Sequence, residues 1–228
     1  MIKCDLHIHS RHSFDALAKP KDIVDIAIKR GIKCLAITDH GNIRGALEAA
    51  DHVEQKNLPI LIIISQEVKS KSGDILALNI KKSIAEHLSA AKTIDLIHQQ
   101  GGLAVVAHPF GLWCGFKGNL KKYIGLFDAI EIFNASVFWG NKKAQNFARE
   151  NNLAFTAGSD AHFSNGFIGK VWLELPLHYS PTLTADDIIA AIKQKNGVLG
   201  GGTANFFAKT IEHTFRSLTK LKCLAKLS

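Results

Sequence analysis

Apolar and polar positions alternate from the second residue onward. Ile2, Cys4, Leu6 and Ile8 fall on one face of an extended chain, and Lys3, Asp5, His7 and His9 on the other, which is the period of a β-strand. Two imidazoles thus share one side, roughly 7 Å apart on a strand that rises about 3.3 Å per residue. The polar stretch Ser10 to Ala16 follows as a loop, and then the period changes. Pro20 opens a helix over Lys21 to Arg30 whose apolar face is Ile23, Val24, Ile26, Ala27 and Ile28, with Gly31 as its stop. Cys34 to Thr38 reads as a short buried strand ending in Asp39-His40-Gly41, followed by a helix near Ile43 to Gln55. Leu58 to Ile64 is an apolar run ending at Ser65-Gln66-Glu67. Further strands are expected at Ile75 to Ile80, Leu103 to Ala107, Ala129 to Phe133, Ala154 to Ala157, Val171 to Leu175 and Val198 to Gly200. Further helices are expected at Ile84 to Gln100, Lys142 to Asn151 and Ala185 to Lys195.

Strands alternating with helices predict an α/β fold with a parallel sheet. About seven strand–helix repeats without a linker favour a barrel over an open sheet, and barrels carry their reactive groups at the C-terminal ends of strands. His40, Glu67, His108 and Asp160 each stand where an expected strand ends. Residues 1–202 read as one barrel unit. The tail 203–228 reads as a basic amphipathic helix, with Phe206, Phe207, Ile211, Phe215, Leu218, Leu221 and Leu224 between lysines and arginines. Such a stripe docks on the barrel or on a second subunit, or lies against anionic lipid or nucleic acid.

Composition narrows the class. Of the 228 residues 46% are hydrophobic, which supports a large core, and no long uncharged apolar run suggests a membrane span. The N-terminus lacks the pattern of a signal peptide. Cys4, Cys34, Cys114 and Cys223 are scattered singly, so no zinc knuckle or redox pair is expected and a cytoplasmic setting is the simplest reading. The formal charge of +8 suits anionic partners such as phosphate esters or nucleic acid.

His7, His9, Asp15, His40, Glu67, Asp74, His108, Asp160 and His162 are the candidate metal ligands. Mixed imidazole and carboxylate donors suit zinc, manganese or iron, and nine are too many for one ion. Two or three ions sharing a carboxylate fit better, giving an activated hydroxide and a clamp for phosphoryl displacement. Taken singly, each residue has a plainer reading: Asp39 as a helix cap, Asp160 as a turn residue, Asp74 as part of the Ser72-Gly73-Asp74 turn.

The motifs DLHIHS at Asp5 to Ser10, SFDA at Ser13 to Ala16, ITDHG at Ile37 to Gly41, QEV at Gln66 to Val68, AHP at Ala107 to Pro109 and GSDAH at Gly158 to His162 resemble the PHP (polymerase and histidinol phosphatase) family. That resemblance implies a distorted (β/α)7 TIM-like barrel of PHP type, with two or three divalent metals and phosphoester hydrolysis. It implies His7, His9, Glu67 and Asp160 as ligands of a first metal, Glu67 as the bridge to a second held by His108, and Asp15, His40 and His162 as a third set. Many members carry His where this chain has Asp15 and Asp74, and Asp15 is similar to a variant of the small stand-alone phosphoesterases.

The expected activity is therefore a metal-dependent phosphoesterase acting on a small phosphorylated substrate, a nucleotide or a single-stranded nucleic-acid end. A metal-bound hydroxide would attack phosphorus in line. Asp39 and Arg44 are the candidate catalytic side chains beside the metals, Arg44 as a fork for phosphate. Trp113 and Phe116, in the loop after His108, either stack on a base or cover the barrel rim. The rival readings are hydrolysis of a carbon centre, as in amidohydrolases, and a non-catalytic interaction module.

Overall fold

The computed structural model describes residues 1–112, 114–163, 166–202 and 214. The expectations for Trp113 and, apart from Thr214, for the helix 203–228 lie outside them. Nine strands form one sheet: β1 (Ile2–Ile8), β2 (Cys34–Ile37), β3 (Leu61–Ser70), β4 (Gly73–Leu78), β5 (Leu103–Val106), β6 (Ala129–Asn134), β7 (Ala154–Gly158), β8 (Val171–Leu175) and β9 (Val198–Gly201). Their order is β7-β6-β5-β4-β3-β2-β1-β8-β9. The helices are α1 (Pro20–Lys29), α2 (Arg44–Lys56), α3 (Ala90–His98), α4 (Asn141–Glu150) and α5 (Ala185–Lys193). Among the described residues no helix is long and apolar enough to cross a membrane.

Strands β1 to β7 curl into a nearly closed barrel. The end of β7 meets β1 where Asp160 N donates to His7 O at 2.7 Å and His9 N donates to Ala161 O at 2.9 Å. Gly158 permits that approach, because a Cβ there would overlap Cβ of His7. β8 and β9 extend the sheet from β1 in antiparallel fashion. The barrel interior is filled by Cys4, Leu6, Ala36, Ile63, Leu76, Val105 and Ala129, and α5 packs against this cluster through Ile188 and Ile192.

Four details differ from the sequence reading, each for a physical reason. The sheet is mixed: β4 runs antiparallel to both β3 and β5, because only Lys71-Ser72 separates it from β3, and so short a link can make a hairpin but not a crossover. β3 does not stop at Glu67. It continues to Ser70, its polar residues paired from Ser65↔Leu78 to Ser70↔Gly73. α3 begins at Ala90 rather than Ile84, since the Gln66 side chain binds both N and O of Ile84 (2.8 and 2.9 Å) and Ser89 caps the helix on Lys92 N. Finally, β1 does not alternate throughout. Its register against β2 shifts between Asp5 and Ile8, so Leu6 stays in the barrel interior while Ile8 joins the layer under α1 and α2. A bulge of this kind re-aims the side chains beyond it, here His7 and His9.

Candidate metal centre

All nine predicted ligands meet at one end of the barrel. His7 is the last polar residue of β1 and His9 follows the strand. His40, His108, Asp160 and His162 lie in loops after β2, β5 and β7, and Asp15 lies in the loop after β1. Glu67 stands within β3. Asp74 reaches the same end because β4 is reversed and begins there. Eight of the nine are buried, and Asp74 is half-buried.

Eight of the nine fall into three groups: His7, His9, Glu67 and Asp160; His9, Asp15 and His40; and Glu67, Asp74 and His108; His9 rather than His162 completes the group of Asp15 and His40. In the first, Nε2 of His7 is 3.2 Å from Nε2 of His9, 3.2 Å from Oε2 of Glu67 and 3.4 Å from Oδ1 of Asp160. Nε2 of His9 is 3.0 Å from Glu67 Oε2 and 3.2 Å from Asp160 Oδ1. A tetrahedral ion with ligand bonds near 2.0–2.1 Å has donor–donor edges of about 3.3–3.4 Å, and these five separations lie close to that. Glu67 faces two groups at once: Oε2 serves the first and lies 3.4 Å from His40 Nε2, while Oε1 is 2.9 Å from His108 Nε2. His162 Nε2 and His40 Nε2 stand 3.6 and 3.8 Å from Oδ2 of Asp15. The buried Nε2 of His40 has no hydrogen-bond partner among the described residues, as expected of a nitrogen shaped for a ligand.

Electrostatics point the same way. Burial alone would push the imidazoles down, yet Asp160, Glu131 and Glu67 hold His7 well above its usual range. Against the same burial, Asp160 and Glu67 hold His9 at about 9. Burial raises Glu67, but the charge of His7 and the bond from His108 outweigh it and keep the carboxylate ionised. His40 goes the other way: burial brings it to about 3, so it stays neutral. A cluster of carboxylates this deep needs protons or cations to balance it. Backbone strain marks two of the candidates, with positive φ at His108 (26°) and Asp160 (50°), a conformation that costs energy in non-glycine residues.

The two expected catalytic residues are placed differently. Asp39 is buried, and both its oxygens accept from Ser10, from N at 2.6 Å and from Oγ at 2.7 Å, so it fixes the loop after β1. It packs on Gly45, where a Cβ would overlap Asp39 Oδ2. Arg44 is exposed at the start of α2, its Nε donating to Asn42 Oδ1 at 3.4 Å. Phe116 covers the rim: it stacks edge-on against Tyr123 at 5.1 Å and packs on Gly73 at the tip of the β3–β4 hairpin.

Three residues that support the centre escaped the sequence reading as site members. Glu131 of β6 accepts the His7 Nδ1 proton at 3.0 Å and His108 N at 2.7 Å. Asn134 Nδ2 donates to Glu131 Oε2 (3.1 Å) and Asp160 Oδ2 (3.3 Å). Ser13 Oγ donates to Asp15 Oδ1 at 2.8 Å. Only Glu131 left a signal, a lone carboxylate inside the apolar run Ala129 to Phe133, which is costly unless paired.

The PHP domain family model matches residues 5–163, and the PHP-associated model matches residues 138–196. An uncharacterised protein of Methanocaldococcus jannaschii is 35% identical over 144 residues, 59% of this chain and 82% of its own length. A 3',5'-nucleoside bisphosphate phosphatase of Chromobacterium violaceum is 41% identical over 61 residues, 27% of this chain and 21% of its own length. Among solved structures, a two-domain protein of Bacteroides vulgatus containing a predicted PHP-like metal-dependent phosphoesterase superposes with a TM-score of 0.71 at 18% identity. That match covers 88% of this chain, which spans 64% of the Bacteroides protein.

Proposed function

The chain belongs to the PHP domain family, and on that footing we propose that it hydrolyses phosphomonoesters, either small phosphorylated molecules or the exposed end of a nucleotide or single strand. The observation that carries this reading is Glu67, a buried carboxylate whose two oxygens face different sets of imidazoles, at 3.0–3.4 Å on one side and 2.9 Å on the other. His7, His9, Glu67 and Asp160 would hold one ion. Glu67 and His108, with Asp74, would hold a second, and Asp15, His40 and His162 a third. Their nitrogen and oxygen donors suit Zn, Mn or Fe. Divalent ions bound there supply Lewis acidity toward a phosphoryl oxygen and a nucleophile at neutral pH.

The chain's own residues prepare that chemistry. Glu131 accepts a hydrogen bond from Nδ1 of His7, so that Nε2 would be the nitrogen offered to a metal. Asn134 steadies Asp160, and Ser13 steadies Asp15 while its Oγ also accepts from His40 N at 3.3 Å. Asp39 keeps the loop that carries Asp15 folded over the barrel mouth by holding Ser10. No serine or cysteine nucleophile is required. The matched segment of the Chromobacterium phosphatase supports a nucleotide among the substrates to be tried first.

Elemental analysis of protein purified without added metal, followed by phosphate-release assays on nucleotides, sugar phosphates, histidinol phosphate and short oligonucleotides, tests the reading. An amide substrate run in parallel separates it from hydrolysis at carbon. Stoichiometric divalent metal with phosphate release is the expected outcome. A folded protein with less than one equivalent of metal, or a metal-loaded protein that cleaves amides and no phosphoester, overturns it.

A further inference from the structure

β3 continues past Glu67, and the side chain two residues on belongs to the same face. Gln66 and Val68 point outward, Gln66 to the backbone of Ile84 and Val68 into the outer cluster with Ile75 and Ala77. Lys69 therefore stands over the barrel mouth, roughly 7 Å along the strand from Glu67. Lys69 faces Asp74 in register. Its ammonium lies 4.3 Å from the centre of the Phe14 ring. That ring stacks on His40, with centroids 5.2 Å apart and planes at 25°, and it is 38% exposed. A ring face attracts an ammonium without neutralising it or using its hydrogen-bond donors. Two arginines of the neighbouring segments are engaged or exposed. Arg11 binds both oxygens of Glu48 at 3.0 and 3.1 Å, and Arg44 is exposed on Asn42.

We propose that Lys69 is the cation that grips the phosphoryl oxygens of the ligand at the metal centre, with Phe14 as the platform that aims it. The inference rests on the phosphomonoesterase reading for the identity of the ligand, and its test separates the two. Metal-loaded protein is titrated with inorganic phosphate in a calorimeter, with metal content and melting temperature recorded for every variant. Lys69→Met keeps the aliphatic stem and is expected to weaken phosphate binding about tenfold or more, as for loss of one charged hydrogen bond. Lys69→Arg restores most of the affinity, and Phe14→Leu falls between. Should Lys69→Met fail to fold, Lys69→Gln against Lys69→Arg gives the same contrast. Equal phosphate affinity in Lys69→Met and the native protein, or no phosphate binding by the native protein, overturns the proposal. Lys69-dependent phosphate binding in a protein that turns over no phosphomonoester supports the grip and ends the hydrolase reading. Turnover with an unchanged KM in Lys69→Met does the reverse.

Discussion

At the scale of single residues, the centre depends on carboxylates that each meet more than one partner. A glutamine at position 67 keeps the shape and one acceptor oxygen but cannot serve imidazole sets on both sides. Glu67→Gln is expected to lose at least one metal equivalent and most turnover with the fold retained, read by elemental analysis beside circular dichroism. Glu131→Gln is a milder change. It weakens the hold on His7 Nδ1, and losses of this kind typically cost about 10–100-fold in metal affinity or activity. Proton linkage gives a third expectation. His9 titrates at about 9 in the fold against an ordinary 6.5, so its value is raised. The stability it contributes to metal-free protein is fully present below pH 6.5 and is lost as pH rises through about 9. Melting curves of chelated protein should therefore fall across that window. Metal uptake, which displaces the proton, should tighten over the same range. A flat melting temperature from pH 6 to 9 would count against a proton shared among His9, Glu67 and Asp160.

At the scale of elements, the bulge in β1 and the close of β7 on β1 set the ligand geometry. Asp5, on the outer side of the bulge, accepts from Ser159 N and Gly169 N, both at 2.8 Å, and so ties β1 to the segments on either side of the Asp160 loop. Burial lifts its carboxyl to about 6, against those bonds. Asp5→Asn leaves one of these donors facing an amide nitrogen and is expected to cost about 1–3 kcal/mol, measured by denaturant unfolding. Gly158→Ala is expected to be more disruptive, because the new methyl meets the Cβ and backbone of His7. The strands must part, and metal content should drop together with stability. An alanine variant with native stability and full metal would show that β7 does not approach β1 as described.

For the whole molecule, one end of the barrel concentrates buried negative charge while the other is a plain apolar core. Metal bound at that end would be part of the folded state's free energy. At free metal near 100 times Kd each site adds about 2.7 kcal/mol, and in a domain of this size that amounts to about 5–10 °C in Tm. Chelation should lower Tm by at least that much, with recovery on adding Zn, Mn or Fe. The loop after His108 packs on the β3–β4 hairpin beside the mouth, where Lys117 N donates to Ser72 O at 2.6 Å and Phe116 lies on Gly73. On the phosphomonoesterase reading, a mouth narrowed in this way would favour terminal phosphates over internal sites in duplex.

The α/β barrel and the candidate ligands that meet at its mouth could be read from the sequence because both are written locally. Hydrophobic period marks each strand, and metal chemistry demands scarce residue types at strand ends, as in DLHIHS and GSDAH. The tertiary structure alone decided the reversal of β4 that brings Asp74 to the centre, the bulge that turns His7 and His9 inward, and the supporting places of Glu131 and Lys69. These depend on register between strands, and a one-residue shift exchanges the faces. They also depend on neighbours remote in sequence: His7 and Glu131 are 124 residues apart, a separation across which no local pattern predicts contact.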